Sequence, residues 1–365
     1  MKLALAGGGT GGHIFPAIAL AKRWLNEGGE VIYLGRENSL EKRIAVKEDI
    51  PFYDLPVKAL PRKINIDLFS SGIANIQAVL KARKILKEET PDVVVGTGGY
   101  VSGASILAAW LLNINTLIHE QNSVPGLTNK IASKFVDKVA LSYQKSENYF
   151  KTKDKLFLTG NPVRKEILEV SKKDAKFKLS LSDRSDVLLV MGGSQGATSI
   201  NRLMLEMYDD LIELDNLNII HITGNNDYEE VKNKVNGYNN FNKKLIVSSF
   251  MDNIEYALAA ADLVISRAGA VSIAEITALG LPSILIPYPF ATNNHQVKNA
   301  KVLEEKGAAL IYEDDEIKDQ IIFNKIKELI NDKNKLKNMR CASELLGKPE
   351  ALDDLYRLVY SLAQK

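Results

Sequence analysis

A histidine set directly after a run of glycines is where this chain has most chemistry to offer. Gly7, Gly8, Gly9, Thr10, Gly11 and Gly12 lead into His13, and an imidazole that titrates near neutrality can take a proton from a hydroxyl or donate a hydrogen bond to an anion. The glycines matter as much as the ring. A turn of this kind after a strand opens a helix, whose free N–H groups and positive end attract negative charge. Such turns recur: Gly96, Thr97, Gly98, Gly99, Tyr100, Val101, Ser102 and Gly103 follow the apolar run Val93 to Val95, and roughly half a chain from the first turn Gly192, Gly193, Ser194, Gln195, Gly196 and Ala197 follow Val187 to Met191.

Three more strand ends carry polar groups. From Ser266 through Arg267, Ala268, Gly269, Ala270, Val271, Ser272, Ile273 and Ala274 to Glu275, a small-residue turn starts a helix. The N–H groups of Ala270 and Val271 could meet a phosphate there, while Glu275 could accept both hydroxyls of a ribose or serve only to favour the helix start. His119, Glu120, Gln121 and Asn122 place a base, an acid and two amides together. His119 reads more readily as a group satisfying buried backbone, and Asn122 equally well as ligand or loop fastener. Asn293, Asn294, His295, Gln296 and Asn299 supply hydrogen-bonding groups of the sort that sugar recognition uses, or that a solvated loop carries.

Gly7-x-Gly9-x-x-Gly12 also matches the dinucleotide fingerprint, which expects an acidic residue closing the second strand. Here that strand runs out at Leu34, Gly35 and Arg36, with Glu37 just beyond. Arg36 could take a 2′-phosphate, so an NADP-dependent enzyme stays open as an alternative, although a dinucleotide turn has no need of His13. The second half offers no tight Asp-x-Asp pair at a strand end, and Asp314 with Asp315 reads as a solvated charge pair. No metal and no cofactor are therefore expected, the glycine turns themselves being anion sites.

The elements that must hold these groups alternate between strand and helix. Strand-like runs at Lys2 to Ala6, Glu30 to Leu34, Asp92 to Gly96, Thr116 to His119, Lys138 to Leu141 and Leu156 to Leu158 are separated by helix-length segments such as Ala17 to Asn26 and Leu68 to Lys87. A second series follows at Val187 to Met191, Ile219 to Thr223, Leu245 to Ser248, Leu263 to Ser266, Ser283 to Pro287 and Ala309 to Tyr312. Alternation of this kind predicts parallel sheets covered by helices on both faces, with ligands beyond the carboxyl ends of the strands. The chain's 365 residues suit two domains: residues 1–162, residues 163–348, and a terminal helix over 349–365 whose Leu352, Leu355, Leu358, Val359 and Leu362 recur at helical spacing and would pack back on the first.

Charge and cysteine content narrow the surroundings. The start at Met1 and Lys2 leaves no room for a signal segment, no apolar run reaches the ~20 residues that span a bilayer, and Cys341 is the only cysteine. A protein kept in the cytoplasm is expected. The net charge is +2, but residues 1–163 carry 21 Lys and Arg against 15 Asp and Glu. The excess traces to residues 56–87, where Lys58, Arg62, Lys63, Lys81, Arg83, Lys84 and Lys87 face only Asp67, and where Leu68, Phe69, Ile73, Ile76 and Leu80 could form an apolar patch that Trp110 and Leu111 extend. Such a segment suits an anionic membrane surface; no nucleic acid partner is expected.

Taken in order, Thr10-Gly11-Gly12-His13 with Pro16-Ala17, Gly98-Gly99-Tyr100-Val101-Ser102-Gly103, His119-Glu120-Gln121-Asn122, Gly160-Asn161-Pro162-Val163-Arg164, Gly192-Gly193-Ser194-Gln195-Gly196-Ala197, and Arg267 through Glu275 resemble the MurG family. These are the N-acetylglucosaminyltransferases that convert lipid I to lipid II in bacterial peptidoglycan synthesis. The resemblance runs from residue 3 to about residue 300. It implies a GT-B fold, two Rossmann-like domains with parallel sheets facing across a cleft. By it the C-terminal domain holds UDP-GlcNAc, with the Met251 backbone near the uracil, Glu275 on the ribose, Ser194, Gln195 and the turn Ala270, Val271, Ser272, Ile273 on the diphosphate, and Gln296 on the sugar. The N-terminal domain receives lipid I, whose pyrophosphate is cradled by Thr10, Gly11, Gly12 and His13 and by Gly99, Tyr100 and Ser102. Asn122 reaches the donor sugar, and Arg164 sits at the hinge. His13 is the first candidate for the base and Glu120 the second, though His13 could instead bind the acceptor diphosphate as a donor. The resemblance further implies a peripheral protein of the cytoplasmic face of the cell membrane, with other cell-wall synthesis proteins as candidate partners. A UDP-GlcNAc epimerase would share the architecture and the donor site but would need neither lipid nor the basic apolar segment.

Overall fold

Short, nearly continuous apolar runs become parallel strands buried on both faces. A computed structural model describes residues 1–58, 66–193, 196–238 and 245–364, and of 66–70 the backbone alone. The chain divides into two compact units, Met1–Pro162 with Glu350–Lys365, and Val163–Pro349.

In the first unit β1 (Lys2–Gly7), β2 (Glu30–Gly35), β3 (Phe52–Asp54), β4 (Val93–Gly98), β5 (Asn115–Glu120), β6 (Lys138–Leu141) and β7 (Leu156–Leu158) form one parallel sheet in the order β3-β2-β1-β4-β5-β6-β7. The order reverses direction between β1 and β4, which are paired from Leu3 with Val93 to Gly7 with Gly98. On one face lie α1 (Gly11–Asn26), α2 (Leu40–Lys47) and α15 (Ala351–Ala363), whose Leu355, Val359 and Leu362 are buried with Leu3, Leu5 and Trp24. The terminal helix is fastened further by Asn115 Nδ2 donating to the Leu362 carbonyl at 2.8 Å and by Trp24 meeting Tyr356 edge-on at 5.6 Å. On the other face lie α3 (Ile66–Glu89), α4 (Gly99–Trp110) and α5 (Leu127–Ala132), over a core that includes Ala82, Leu86, Ile106 and Ile118.

The second unit repeats the plan. Its strands β8 (Asp186–Met191), β9 (Leu217–Ile222), β10 (Leu245–Ser248), β11 (Leu263–Ser266), β12 (Ser283–Leu285) and β13 (Ala309–Ile311) run in the order β10-β9-β8-β11-β12-β13, again parallel. Here the reversal falls between β8 and β11. After the short helices α6 (Lys165–Glu169) and α7 (Lys172–Lys178) come α8 (Thr198–Glu213), α9 (Tyr228–Asn236), α10 (Ile254–Ala260), α11 (Ala270–Ala278), α12 (His295–Glu304), α13 (Asp319–Asn331) and α14 (Lys333–Leu346). Met204, Met207 and Tyr208 of α8 share one core with Ile322, Ile326 and Leu329 of α13.

Two local differences from the sequence reading matter for function. The first helix starts at Gly11 rather than Ala17, running through Pro16, so His13 stands on its first turn. Pro16 cannot donate to the Gly12 carbonyl and its ring crowds that carbonyl, so the helix carries a proline inside it rather than at its first position. The strand Phe52–Asp54 was not among those expected, because three residues ending in an acid give no periodicity to read. Among the described residues no helix is long and apolar enough to cross a membrane.

Candidate functional site

In an open parallel sheet, ligands lie beyond the strand ends where the order reverses, and in the first unit that place is furnished by two helix N-termini. Thr10 heads α1 and Gly98 heads α4; neither helix has a side-chain cap or an acidic residue in its first turn, so the N–H groups there are not satisfied by the protein's own side chains. The two turns are pressed together. Gly98 has φ of 117°, and a Cβ on it would stand 2.7 Å from the His13 ring; Gly99 has φ of 82°, and a Cβ there would stand 2.6 Å from the Gly8 carbonyl oxygen. Thr97 Oγ1 donates to the His13 carbonyl at 2.7 Å, stitching β4 to α1.

The same packing fixes the proton on His13. Its Nδ1 lies 3.0 Å from the Gly8 carbonyl oxygen, which can only accept, so Nδ1 carries a hydrogen and the lone pair of the uncharged ring is on Nε2. His13 is half-buried, with Gly11, Gly12 and Gly99 partly accessible around it and Thr10 and Tyr100 exposed. Ser102 is placed differently from the expectation that it cradles an anion. It is buried, with Oγ against the backbone of Gly96 and without a hydrogen-bond partner. Once α4 begins at Gly99, Ser102 and Ile106, one turn apart, both face β4.

At the end of β5 the acid and the imidazole both turn inward. Glu120 is buried; Oε1 accepts from the Asn122 backbone N–H at 3.0 Å and from Asn122 Nδ2 at 3.3 Å, and Oε2 accepts from the Gly126 N–H at 3.1 Å and from Asn129 Nδ2 at 2.8 Å. All four lone-pair positions of the carboxylate face donors. Held this way, the Glu120 carboxylate fastens the loop that carries Asn122. His119 Nε2 donates to the Gly160 carbonyl at 3.0 Å and Nδ1 accepts from Gln121 Nε2 at 3.0 Å, while burial pushes its pKa down to about 4. It is a neutral, structural ring.

The second unit sets out its own pair of helix starts. Gly269 heads α11 without a side-chain cap, leaving the N–H groups of Ala270, Val271 and Ser272 beside the end of β11, with Ile273 buried behind them. Ala197 heads α8, likewise uncapped, after Gly193 and Gly196 in left-handed conformations; a Cβ on Gly196 would stand 2.2 Å from the Thr223 carbonyl oxygen. Ser194 and Gln195 lie outside the described residues. Glu275, buried on α11, is joined to Arg164 Nη2 through Oε1 at 3.1 Å. Burial pushes its carboxyl pKa up, and the guanidinium opposes the rise. Gln296 Oε1 accepts from the Tyr288 N–H at 2.9 Å, leaving the amide Nε2 as its donor. Met251 lines a cavity of about 390 Å³ with Leu179, Phe250 and Tyr256.

Residues 3–141 match the glycosyltransferase family 28 N-terminal domain and residues 187–355 the glycosyltransferase family 28 C-terminal domain. A Halothermothrix orenii protein named UDP-N-acetylglucosamine--N-acetylmuramyl-(pentapeptide) pyrophosphoryl-undecaprenol N-acetylglucosamine transferase is 44% identical over 370 residues, with 100% of each chain covered. The crystal structure of Acinetobacter baumannii MurG superposes with a TM-score of 0.77 at 28% identity, covering 99% of each chain. The chain belongs to the MurG family. A Neisseria meningitidis UDP-GlcNAc 2-epimerase bound to UDP-GlcNAc reaches a TM-score of 0.68 at 16% identity over 100% of each chain, a likeness of fold alone.

Within this MurG family chain, two contacts were not legible as such in the motifs. The Arg164–Glu275 pair joins residues that the resemblance had given separate roles. Asp314, expected to be solvated, instead accepts from Arg267 Nη1 and from Ser199 Oγ, the latter at 2.7 Å, while Arg267 also donates to the carbonyls of Ile286 at 3.1 Å and Pro287 at 3.2 Å. Arg267 is thereby a clamp on the ends of β11 and β12. The available signal was positional: Asp314 follows the last strand, just as Arg267 follows β11. Among the described residues no three His, Cys, Asp or Glu side chains gather as a metal site.

Proposed function

We propose that this chain transfers N-acetylglucosamine from UDP-GlcNAc to the 4-hydroxyl of the N-acetylmuramyl residue of lipid I, with inversion, to give lipid II for peptidoglycan synthesis. The full-length identity of 44% to a transferase of that name supports the reaction. The tautomer of His13 is the observation that carries the mechanism: Nδ1–H is spent on Gly8, and Nε2 stands at the glycine turn with its lone pair. As the acceptor oxygen forms its bond to the anomeric carbon, Nε2 takes the hydroxyl proton. The bond from that carbon to the UDP oxygen breaks, the electron pair leaving with UDP, and an α-linked donor yields a β(1→4) linkage. A donor role for His13 toward the acceptor diphosphate would require Nε2 to be protonated, since Nδ1 is already engaged.

The acceptor pyrophosphate is assigned to the N–H groups of Gly11, Gly12, Gly99 and Tyr100, with Thr10 beside them, and the leaving diphosphate to Ala270, Val271 and Ser272, joined by Ser194 and Gln195. Glu275 receives the ribose hydroxyls on Oε2, because Oε1 is held by Arg164. Met251 receives the uracil, Gln296 offers Nε2 to the sugar, and Asn122 is kept in place for the same sugar by Glu120, a positioning residue.

A lipid-linked acceptor brings the protein to the cytoplasmic face of the cell membrane as a peripheral protein. Ile73, Ile76 and Leu80, exposed along one face of α3, support that reading together with Lys81, Arg83 and Lys84. The side chains of Leu68 and Phe69, expected in the same patch, lie outside the described residues.

The test is incubation of the full chain with labelled UDP-GlcNAc and a short-chain lipid I analogue in the presence of chelator. A disaccharide-lipid product is expected. UDP-GlcNAc consumed without acceptor, and no such product, would instead indicate an epimerase.

A further inference from the structure

A cavity of about 410 Å³ opens at the ends of β2 and β3, to the side of the glycine turn that holds His13. Arg36 and Glu37 follow β2, and residues 54–58 run on from β3 to complete one wall; Ile73, Ala74, Gln77 and Lys81 of α3 form the other. The rim is fastened to both. Leu55 N–H donates to the Gly35 carbonyl at 2.7 Å, and Asn75 grips the Lys58 backbone from α3, its Oδ1 accepting from the N–H at 3.2 Å and its Nδ2 donating to the carbonyl at 3.1 Å. One buried carboxylate joins this cavity to the glycine turn: Glu41 Oε1 accepts from the Arg36 N–H at 3.3 Å, and the same oxygen would stand 2.5 Å from a Cβ on Gly8. Because β2 lies directly beside β1, with Leu34 paired to Ala6, the cavity is one to two strand spacings from the turn, about 5–10 Å.

The charges around the cavity are not balanced by the protein. Lys42 neutralises Asp54 at 2.9 Å, whereas Arg36, Lys58 and Lys81 form no ion pair among the described residues, and Glu37 is the one unpaired acid beside them. Between the charges the walls are apolar, with Pro56 and Ile73 exposed and Leu55 and Val57 buried behind them. Cations set apart along apolar walls suit a short peptide with free carboxylates. Each carboxylate finds a guanidinium or an ammonium, alkyl side chains find Pro56 and Ile73, and an amine finds Glu37. An isoprenoid chain would bury the same charges against hydrocarbon, and a diphosphate has no use for Glu37.

We infer that this cavity receives the peptide branch of the acceptor. The inference rests on the proposed transfer to lipid I and adds a subsite to it; the Halothermothrix orenii relative is named for an N-acetylmuramyl-(pentapeptide) acceptor. A peptide joined to the muramyl residue by its N-terminus carries a free carboxylate at its far end. Five residues reach at most about 17 Å, enough to pass from the end of β1 to Arg36 and Lys58.

The experiment uses the full chain and two short-chain lipid I analogues in detergent without vesicles, one bearing the pentapeptide and one lacking it. Arg36→Gln with Lys58→Gln, both exposed positions, should raise KM for the pentapeptide acceptor roughly tenfold with kcat and UDP affinity unchanged, and leave KM for the peptide-free acceptor as it is in the unaltered chain. Arg36→Lys with Lys58→Arg, which keep both charges, should restore most of the loss. A KM raised equally for both acceptors would overturn the inference, since the cations would then act on the diphosphate; so would a KM unchanged for both. A further arm reads binding without turnover. A pentapeptide acceptor with a diazirine on its last residue should, on irradiation, label residues 54–58 or 73–81. Labelling elsewhere or none, with transfer intact, removes the cavity from the reaction, whereas labelling here without transfer to either acceptor would sink the transferase reading and keep the peptide site.

Discussion

The two units have the same strand order around their reversal points, and each puts a pair of uncapped helix N-termini there, yet they furnish those points with different side chains. In the first unit the pair is made almost wholly of backbone, with one imidazole held against Gly98. In the second a buried carboxylate and its arginine stand beside the turn, and a second arginine clamps two strand ends from behind. The fold supplies two pairs of uncapped helix starts of one kind; the side chains beside them differ. A base is useful only where a hydroxyl must lose its proton, and a carboxylate that accepts hydroxyls is useful where a ribose must be gripped. This division is the one the proposed function uses, with the acceptor on the first unit and the nucleotide on the second.

The largest expected effect breaks the first half of that assignment. His13→Asn keeps an amide donor where Nδ1 meets the Gly8 carbonyl but offers no basic lone pair, so turnover should fall roughly 10²–10⁴-fold while UDP affinity, measured by calorimetry, stays within twofold. A loss of UDP affinity equal to the loss of turnover would move His13 to the nucleotide side and undo the division.

Next in size is an effect the two units share. Each buries one neutral histidine, His119 in the first and His221 in the second, and burial lowers their pKa values to about 4 and about 3. His221 is held between the Tyr208 hydroxyl at 2.7 Å and Asn201 Oδ1 at 2.9 Å. For a group whose folded pKa is depressed, the stability is present above the unfolded value near 6.5 and is lost as pH falls toward the folded one. Each ring should therefore remove about 3 kcal/mol between pH 6.5 and 4, seen as a falling unfolding midpoint in urea. Imidazole NMR resonances of both rings should stay unshifted down to pH 5; a shift starting near pH 6.5 in only one would show that the units differ here as well.

How much of this could be read from the sequence depends on what holds each residue. Strands such as Lys138–Leu141 and Leu263–Ser266 were legible to the residue, because an apolar run bounded by polar groups marks them. The start of α1 was not, since Pro16 and the glycines before it look like turn rather than helix. Glycine turns announced helix starts at strand ends, but which side chains face those starts is decided by helix phase and by partners far away in sequence. Ser102 lies in a glycine-rich motif and faces β4; Glu120 lies at a strand end and accepts from Gly126 and Asn129. Asp314 lies 47 residues from the arginine it pairs with, a separation at which no local pattern exists.

A smaller effect sharpens the second half of the comparison. Glu275→Gln removes the charge that strengthens hydrogen bonds to ribose hydroxyls, and leaves Arg164 without its carboxylate. UDP should bind about tenfold more weakly, with turnover at saturating UDP-GlcNAc little changed. Because burial raises the Glu275 pKa, the ionised form is disfavoured by folding, and the stability so linked is present below the unfolded pKa and lost as pH rises through the folded one. Glu275→Gln should accordingly leave the neutral-pH melting temperature unchanged or slightly higher. A lower melting temperature together with unchanged UDP affinity would make the Arg164 pair a structural bond and remove Glu275 from the nucleotide site.

The smallest effect concerns whether the first unit's helix start is truly left free for a ligand. An N-terminal threonine or serine that caps its helix usually contributes about 1 kcal/mol. Ser39 does so for α2, accepting from the Lys42 N–H at 3.3 Å, whereas Thr10 at the head of α1 makes no such bond. Ser39→Ala should therefore destabilise the protein by about 1 kcal/mol with the acceptor KM unchanged, and Thr10→Ala should leave stability within about 0.3 kcal/mol while raising the acceptor KM a few-fold. The two substitutions lie in one unit and remove the same kind of group, so their opposite signatures separate a helix start that serves the fold from one reserved for an anion. Equal destabilisation by both would mean that Thr10 caps α1 in solution, and the N–H groups above β1 would then no longer be free to receive a pyrophosphate.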